Sequence, residues 1–122
     1  MPVTANYTLI VSMNVEQEKE SLFNEVYDNE HIPLIEKVPG VVSVSRLKAQ
    51  SFQVKVGGEI QDIPLGDRPV YTAIYEIEDP SVLISEEWAE AAEAGRWASE
   101  VRPFTSNRQF SLKANIGAKI GA

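Results

Sequence analysis

The sequence predicts an α+β fold in which a four-stranded antiparallel sheet carries its helices on one face, in the order strand, helix, strand, strand, helix, strand. Residues Tyr7 to Met13, Val41 to Gln50, Val70 to Ile77 and Phe104 to Ile116 are rich in apolar and β-branched side chains and read as strands. Between the first two strands, apolar residues recur at helical spacing as far as about Val38. A length of 122 residues with 43% hydrophobic and 24% charged side chains suits one core, so residues 1–122 are expected to form a single domain.

Taken in order, the first strand points Tyr7, Leu9, Val11 and Met13 one way and Thr8, Ile10 and Ser12 the other. Asn14 is placed to cap the following helix, with Glu16, Glu18 and Glu20 complementing its N-terminal dipole. The helix presents Leu22, Phe23, Val26, Tyr27, Leu34, Ile35 and Val38 as its apolar stripe. Pro33 cannot donate to the Asn29 carbonyl and predicts a kink, and Pro39-Gly40 ends the helix. The second strand is followed by Gly57-Gly58, a two-residue turn signal between Phe52–Val56 and Glu59–Ile63, which predicts an extra hairpin. Pro64 to Pro69 is a loop, and the third strand is apolar on both faces. Asp79-Pro80 opens a short helical turn and Ser85 caps a segment with Trp88, Ala91 and Ala92 on its apolar side. Gly95 stops that segment, and Arg96 to Val101 allows one more turn before Pro103. The last strand sets Phe110, Leu112, Ala114 and Ile116 on one face, and the tail from Gly117 to Ala122 is expected to be mobile. Two right-handed crossovers in one sheet give the ferredoxin-like arrangement. Its uncovered face would carry Ile10, Val42, Val44, Tyr71 or Ile74, according to register, and a second copy packed sheet to sheet would cover it.

Composition removes several functions. A net charge of −7 repels phosphate backbones and anionic lipid, so neither nucleic acid nor a membrane surface is an expected partner. Without cysteine there is no disulfide, thiolate chemistry or thiolate metal site, and a single histidine argues against structural zinc. No run is apolar for the length of a bilayer span, and the N-terminal residues lack the pattern of a signal peptide. A cytoplasmic protein with no cofactor is the expectation. Gly57-Gly58 is no phosphate loop, because no Lys-Ser/Thr and no helix follow it.

What remains points to the first helix. Phe23, Tyr27 and His31 are four apart and share a face. Glu30 and His31 therefore lie on a side that should be apolar, while Asn24, Glu25, Asp28 and Asn29 fill the polar side. An inward histidine titrates near neutrality and can take a proton from a carbon acid or phenol and return it. Tyr27 could donate to a substrate carbonyl or orient His31; it could equally be aromatic core. Glu30 could hold the imidazole in one tautomer or pair with Arg46 on the neighbouring strand. Phe23, Tyr71, Tyr75, Trp88, Trp97 and Phe104 supply aromatic surface for a core, a pocket or both, and such a pocket suits a planar, hydrophobic ligand.

The motif Phe23-x3-Tyr27-x-x-Glu30-His31-Ile32-Pro33, followed by Val38-Pro39-Gly40, resembles the signature of the EthD-like family of the dimeric α+β barrel superfamily. Pro69 to Ile77 resembles that family's third strand, and Asp79 to Ser85 the turn after it. The resemblance covers about Tyr7 to Phe110, with a longer 51–69 region and an alanine-rich 88–98 stretch as departures. It implies a homodimer with one pocket per subunit between helices and sheet. Relatives in the superfamily include cofactor-free cyclases, isomerases, quinol-type monooxygenases and haem-binding enzymes, so the fold leaves the function open. The expected function is a cofactor-independent lyase, isomerase or cyclase acting on a small aromatic or polyketide-like compound. His31 and Tyr27 are its candidate catalytic residues, and Phe23, Glu30, Tyr75, Trp88 and Phe104 its candidate substrate contacts. A non-catalytic binding protein for a hydrophobic metabolite and a cofactor-free quinol-type monooxygenase are the alternatives.

Overall fold

The computed structural model describes residues 5–117; the expected mobile tail lies, but for Gly117, outside them, as does most of the N-terminal segment. Strands β1 (Tyr7–Val15), β2 (Val41–Lys48), β5 (Tyr71–Ile77) and β6 (Thr105–Ala114) form one antiparallel sheet in the order β2-β5-β1-β6. Strands β3 (Phe52–Val56) and β4 (Glu59–Ile63) form a separate two-stranded hairpin. This is the ferredoxin-like order, with the hairpin inserted between the second and third strands of the main sheet.

The hairpin closes through Gly57 at φ 60 and Gly58 at φ 85, the pair of left-handed residues that matches strand twist in a two-residue turn. Its row of Phe52, Val54 and Val56 stays exposed.

The first helix is not continuous. A 3-10 turn (Gln17–Lys19) leads into α1 (Glu20–Val26), a π-helical turn (Tyr27–His31) follows, and α2 (Ile32–Glu36) completes it. Just before Pro33, where the sequence predicts a kink, the chain closes an i→i−5 bond from the Ile32 N–H to the Tyr27 carbonyl. Asn14 does not cap this helix, because β1 runs on to Val15; its side chain accepts from the Val70 N–H at 2.9 Å and ties β1 to the start of β5. The predicted caps further on are present. Asp79 accepts from the Ser81 N–H at 2.9 Å and Ser85 from the Trp88 N–H at 3.1 Å, opening α3 (Glu86–Glu93). Gly95 stops it at φ 70, a second π turn (Trp97–Val101) comes next, and a 3-10 turn (Arg102–Phe104) leads into β6.

The helices bury one sheet face. Leu9, Val11 and Met13 of β1 and Tyr71, Ala73, Tyr75 and Ile77 of β5 pack against Phe23, Val26, Tyr27, Ile35, Val38, Trp97 and Val101. Directly opposed residues share a side, so the pairs Val44↔Tyr75 and Lys48↔Tyr71 put Val44 and Tyr71 under the helices, not on the open face as one register allowed. The open face is mixed: Ile10, Ile74 and Leu47 stand among Thr8, Ser12, Ser43, Ser45, Thr72 and Glu76. Among the described residues no helix is long and apolar enough to cross a membrane.

Phe23 is fully buried, with its ring centroid 4.9 Å from Tyr71, 5.5 Å from Tyr27 and 6.0 Å from Trp97. Removing a ring from such a position leaves a cavity that its neighbours cannot close. Phe23→Ala is therefore expected to lower the unfolding free energy by about 3–5 kcal/mol, read from urea denaturation at pH 7.

Candidate functional site

A cavity of about 290 Å³ opens between helices and sheet. Val11, Met13, Tyr75, Arg108 and Phe110 line it from the strands, Trp88, Ala92 and Glu93 from α3, Tyr27 and His31 from the first π turn, and Trp97 and Arg102 from the second π turn and its exit. The helical spacing of Tyr27 and His31 thus brings both to one wall, as expected, with Tyr75 and Trp88 beside them.

His31 is only 6% exposed. Its ring stacks on Trp97 at 4.7 Å and 27°, and the Tyr27 ring meets it edge-on at 5.1 Å. Its Nδ1 is buried without a hydrogen-bond partner among the described residues. Burial first, then the Arg102 charge, lower its pKa from 6.5 to about 4, with Glu93 opposing. This corrects the near-neutral titration expected of it: the imidazole is neutral throughout the physiological range.

Tyr27 and Tyr75 share a hydrogen bond between their hydroxyls at 2.6 Å. One hydroxyl donates and the other accepts, so the pair retains one hydroxyl proton for a further acceptor. Burial raises both pKa values and keeps both phenols protonated. The Arg46 guanidinium lies 4.7 Å from the Tyr27 ring centroid, and Trp88 meets Tyr75 edge-on at 5.5 Å.

Other expected contacts fall elsewhere. Glu30 does not line the cavity, nor does it meet His31 or Arg46 through a hydrogen bond. Its carboxylate takes the Arg96 side chain at 2.5 and 2.6 Å and the Arg96 N–H at 3.1 Å, which holds its pKa below the usual range. This pair straps the first π turn to the segment after Gly95. Arg46 instead bonds Asp28 and Asn24, each at 2.8 Å. Phe23 is core, sealed behind Tyr27 and away from the cavity wall. Phe104 is not a cavity residue either; it sits under the Lys19 ammonium at 4.5 Å.

Sequence reasoning missed Arg102, Arg108, Glu93, Met13 and Phe110 as wall residues and did not single out Trp97 from the other aromatics. Arg102 is clamped by the Glu93 carboxylate and also reaches the Ala92 carbonyl at 3.2 Å. Among the described residues no group of three His, Cys, Asp or Glu could hold a metal ion.

No protein-family profile matches the chain, and no curated protein sequence matches it. Solved structures share its fold. An ethyl tert-butyl ether D (EthD) family protein from Bacillus halodurans aligns with a TM-score of 0.57 and 13% identity, over 90% of this chain and 99% of that one. A candidate antibiotic biosynthesis monooxygenase from Nitrosomonas europaea aligns at 0.53 and 14%, over 91% and 99%. The haem degrader MhuD from Mycobacterium tuberculosis, solved with two haems in its active site, aligns at 0.52 and 13%, over 92% and 97%. These likenesses establish the ferredoxin-like fold and agree with the EthD-like resemblance of the helix motif.

The His31 pKa has a consequence for stability. The unfolded chain takes up a proton near 6.5 and the folded one only near 4, so below pH 6.5 protonation favours the unfolded state. Between these values the native state should lose about 3 kcal/mol from this residue alone, with full stability above pH 6.5. Urea denaturation at pH 7, 6, 5 and 4.5 should show this slope in the native chain and its loss in His31→Phe.

Proposed function

We propose that the protein is a cofactor-independent acid/base enzyme acting on a small planar aromatic or polyketide-like compound, with His31 as the proton carrier and Tyr27 assisting. The observation that carries this reading is a neutral imidazole in the wall of an aromatic cavity, beside a hydrogen-bonded pair of tyrosine hydroxyls. A dry cavity of roughly 150 Å³ takes benzene, so one of about 290 Å³ suits a bicyclic ligand. Trp88, Trp97 and Phe110 offer such a ligand apolar surface. The hydroxyl proton left over by the Tyr27–Tyr75 pair would meet a ligand oxygen, and His31 would take a proton from the neighbouring carbon or hydroxyl. Burial weakens His31 as a base by about 3 kcal/mol in the empty cavity. The enolate or phenolate formed beside it would restore that strength, because an opposite charge close by favours the imidazolium.

Cofactor-free oxygenation is a second reading, favoured by the likeness to the Nitrosomonas europaea protein. It begins with the same proton removal, and the electron-rich anion then reduces O2. Haem suits the residues poorly. A cavity sized for about two rings is small for a macrocycle of four pyrroles, and the His31 Nδ1 is buried out of reach of a ligand. Homodimerisation through the open sheet face belongs to this proposal. It would cover Ile10, Ile74 and Leu47, and sedimentation equilibrium should return twice the mass of the 13.5 kDa chain.

The enzymatic reading can be tested without the natural substrate. The protein should speed exchange of the α-protons of 2-tetralone, a bicyclic carbon acid, with D2O, as followed by proton NMR. Its kcat/KM should rise through pH 4 and be flat above about pH 5, following the free-enzyme His31. Replacement by His31→Phe should remove the acceleration. Binding of 2-tetralone with exchange no faster than in buffer would leave a binding protein in place of an enzyme.

A further inference from the structure

A bulge in β6 turns a cation toward the cavity. Ser12 pairs with Gln109 and Asn14 with Ser106, so Asn107 and Arg108 together oppose Met13. Asn107 takes φ 51, a left-handed conformation that non-glycine residues adopt at a cost. Beyond this irregularity Arg108 falls on the same side as Phe110, two residues on, and both line the cavity.

The cations around the site are not equivalent. Arg46, Arg96 and Arg102 each hold a carboxylate. The Arg108 guanidinium has no ion pair or hydrogen bond among the described residues, and the residue is exposed. Its charge acts on both Tyr27 and Glu93. With His31 neutral, two arginines against Glu93 leave the cavity wall with a positive excess, in a chain whose net charge is −7.

We propose that Arg108 anchors an anionic group of the ligand, so that the cavity selects planar aromatic carboxylates. The guanidinium fork matches a carboxylate in plane and can donate to both oxygens. The rings would occupy the space beside Trp88 and Trp97 while the carboxylate stays at the rim with Arg108. Arg102 is already held by Glu93, which leaves this task to Arg108. The proposal rests on the reading that the cavity takes an aromatic ligand and adds its charge.

Both tryptophans of the chain line the cavity, so their fluorescence reports occupancy. Titration with 2-naphthoate and with its neutral isostere 2-naphthamide, at pH 7 and low ionic strength, should show about tenfold tighter binding of the carboxylate. Arg108→Gln should reduce that preference to about twofold or less, with Arg108→Lys between it and the native chain. Lys37→Gln, which removes an exposed cation away from this cavity, should keep the preference intact. The far-ultraviolet dichroism and melting of Arg108→Gln should match the native chain, because the side chain is exposed. Equal binding of the two probes by the native protein, or an undiminished preference in Arg108→Gln, overturns the anchor and leaves the aromatic site standing. Absence of quenching by either probe overturns both.

Discussion

The hydroxyl of Tyr27 is the group on which the site depends. It is carried inside by a side chain only 2% exposed, where an unpaired hydroxyl would be costly. Its partner at 2.6 Å is Tyr75, on β5, the strand next to the edge strand β2. This bond, at the junction of helix and sheet, fixes how far the first π turn stands from β5. The distance in turn decides whether a cavity exists beside His31. Phe23 and Trp97 complete the fit around the ring, and Arg46 covers it on the side toward β2. The interaction is thus both the seal of the core and the floor of the site.

Most of the charge around this floor is held in ion pairs. Arg46 and Arg96 are each paired with a carboxylate of the first π turn, Asp28 and Glu30. Glu30 and Arg96 join segments 66 residues apart, and Gly95 sits so close beneath the Glu30 carboxylate that a Cβ there would lie 2.8 Å from its oxygen. The absence of a side chain at Gly95 is therefore required for the strap as well as for its positive φ of 70. The imidazole left behind is neutral because its surroundings are aromatic and its nearest charges oppose one another.

The strands, the hairpin and the later caps were legible in the sequence because each follows from local spacing: alternation, a Gly-Gly turn, or a polar side chain just before a helix. The shared face of Tyr27 and His31 was legible for the same reason. The assignments that failed depend on contacts distant in sequence. Nothing local distinguishes Phe23, behind Tyr27, from Trp88, in front of it, since both are aromatic residues on apolar faces. Glu30 has Arg46 sixteen positions away and Arg96 sixty-six away, and only the three-dimensional path of the chain selects the second. The inward turn of Arg108 follows from a bulge at Asn107, and no residue in Ser106-Asn107-Arg108-Gln109 forces one. Trp97 lay in an alanine-rich stretch whose apolar spacing suggested only a short turn.

That turn and the histidine's turn are built alike. Tyr27–His31 and Trp97–Val101 are both five-residue π segments that begin with an aromatic residue and are followed, one residue later, by proline. In each, the residue before the proline reaches back five positions: the Ile32 N–H to the Tyr27 carbonyl, and the Arg102 N–H to the Trp97 carbonyl. Pro33 and Pro103 have no N–H to offer the carbonyls of Asn29 and Ser99. The residue before each proline uses the carbonyl five positions back in place of the one four back, which widens the turn by one residue. The widened turns then face each other, with the Tyr27 and Trp97 rings 5.0 Å apart and edge-on, and the imidazole of the first laid flat on the indole of the second. The wider turn before Pro33 sets the phase at which His31 leaves the helix. The second wide turn does the same for Trp97, and together the two turns set the stacked imidazole and indole in the wall of a space that fits a ring.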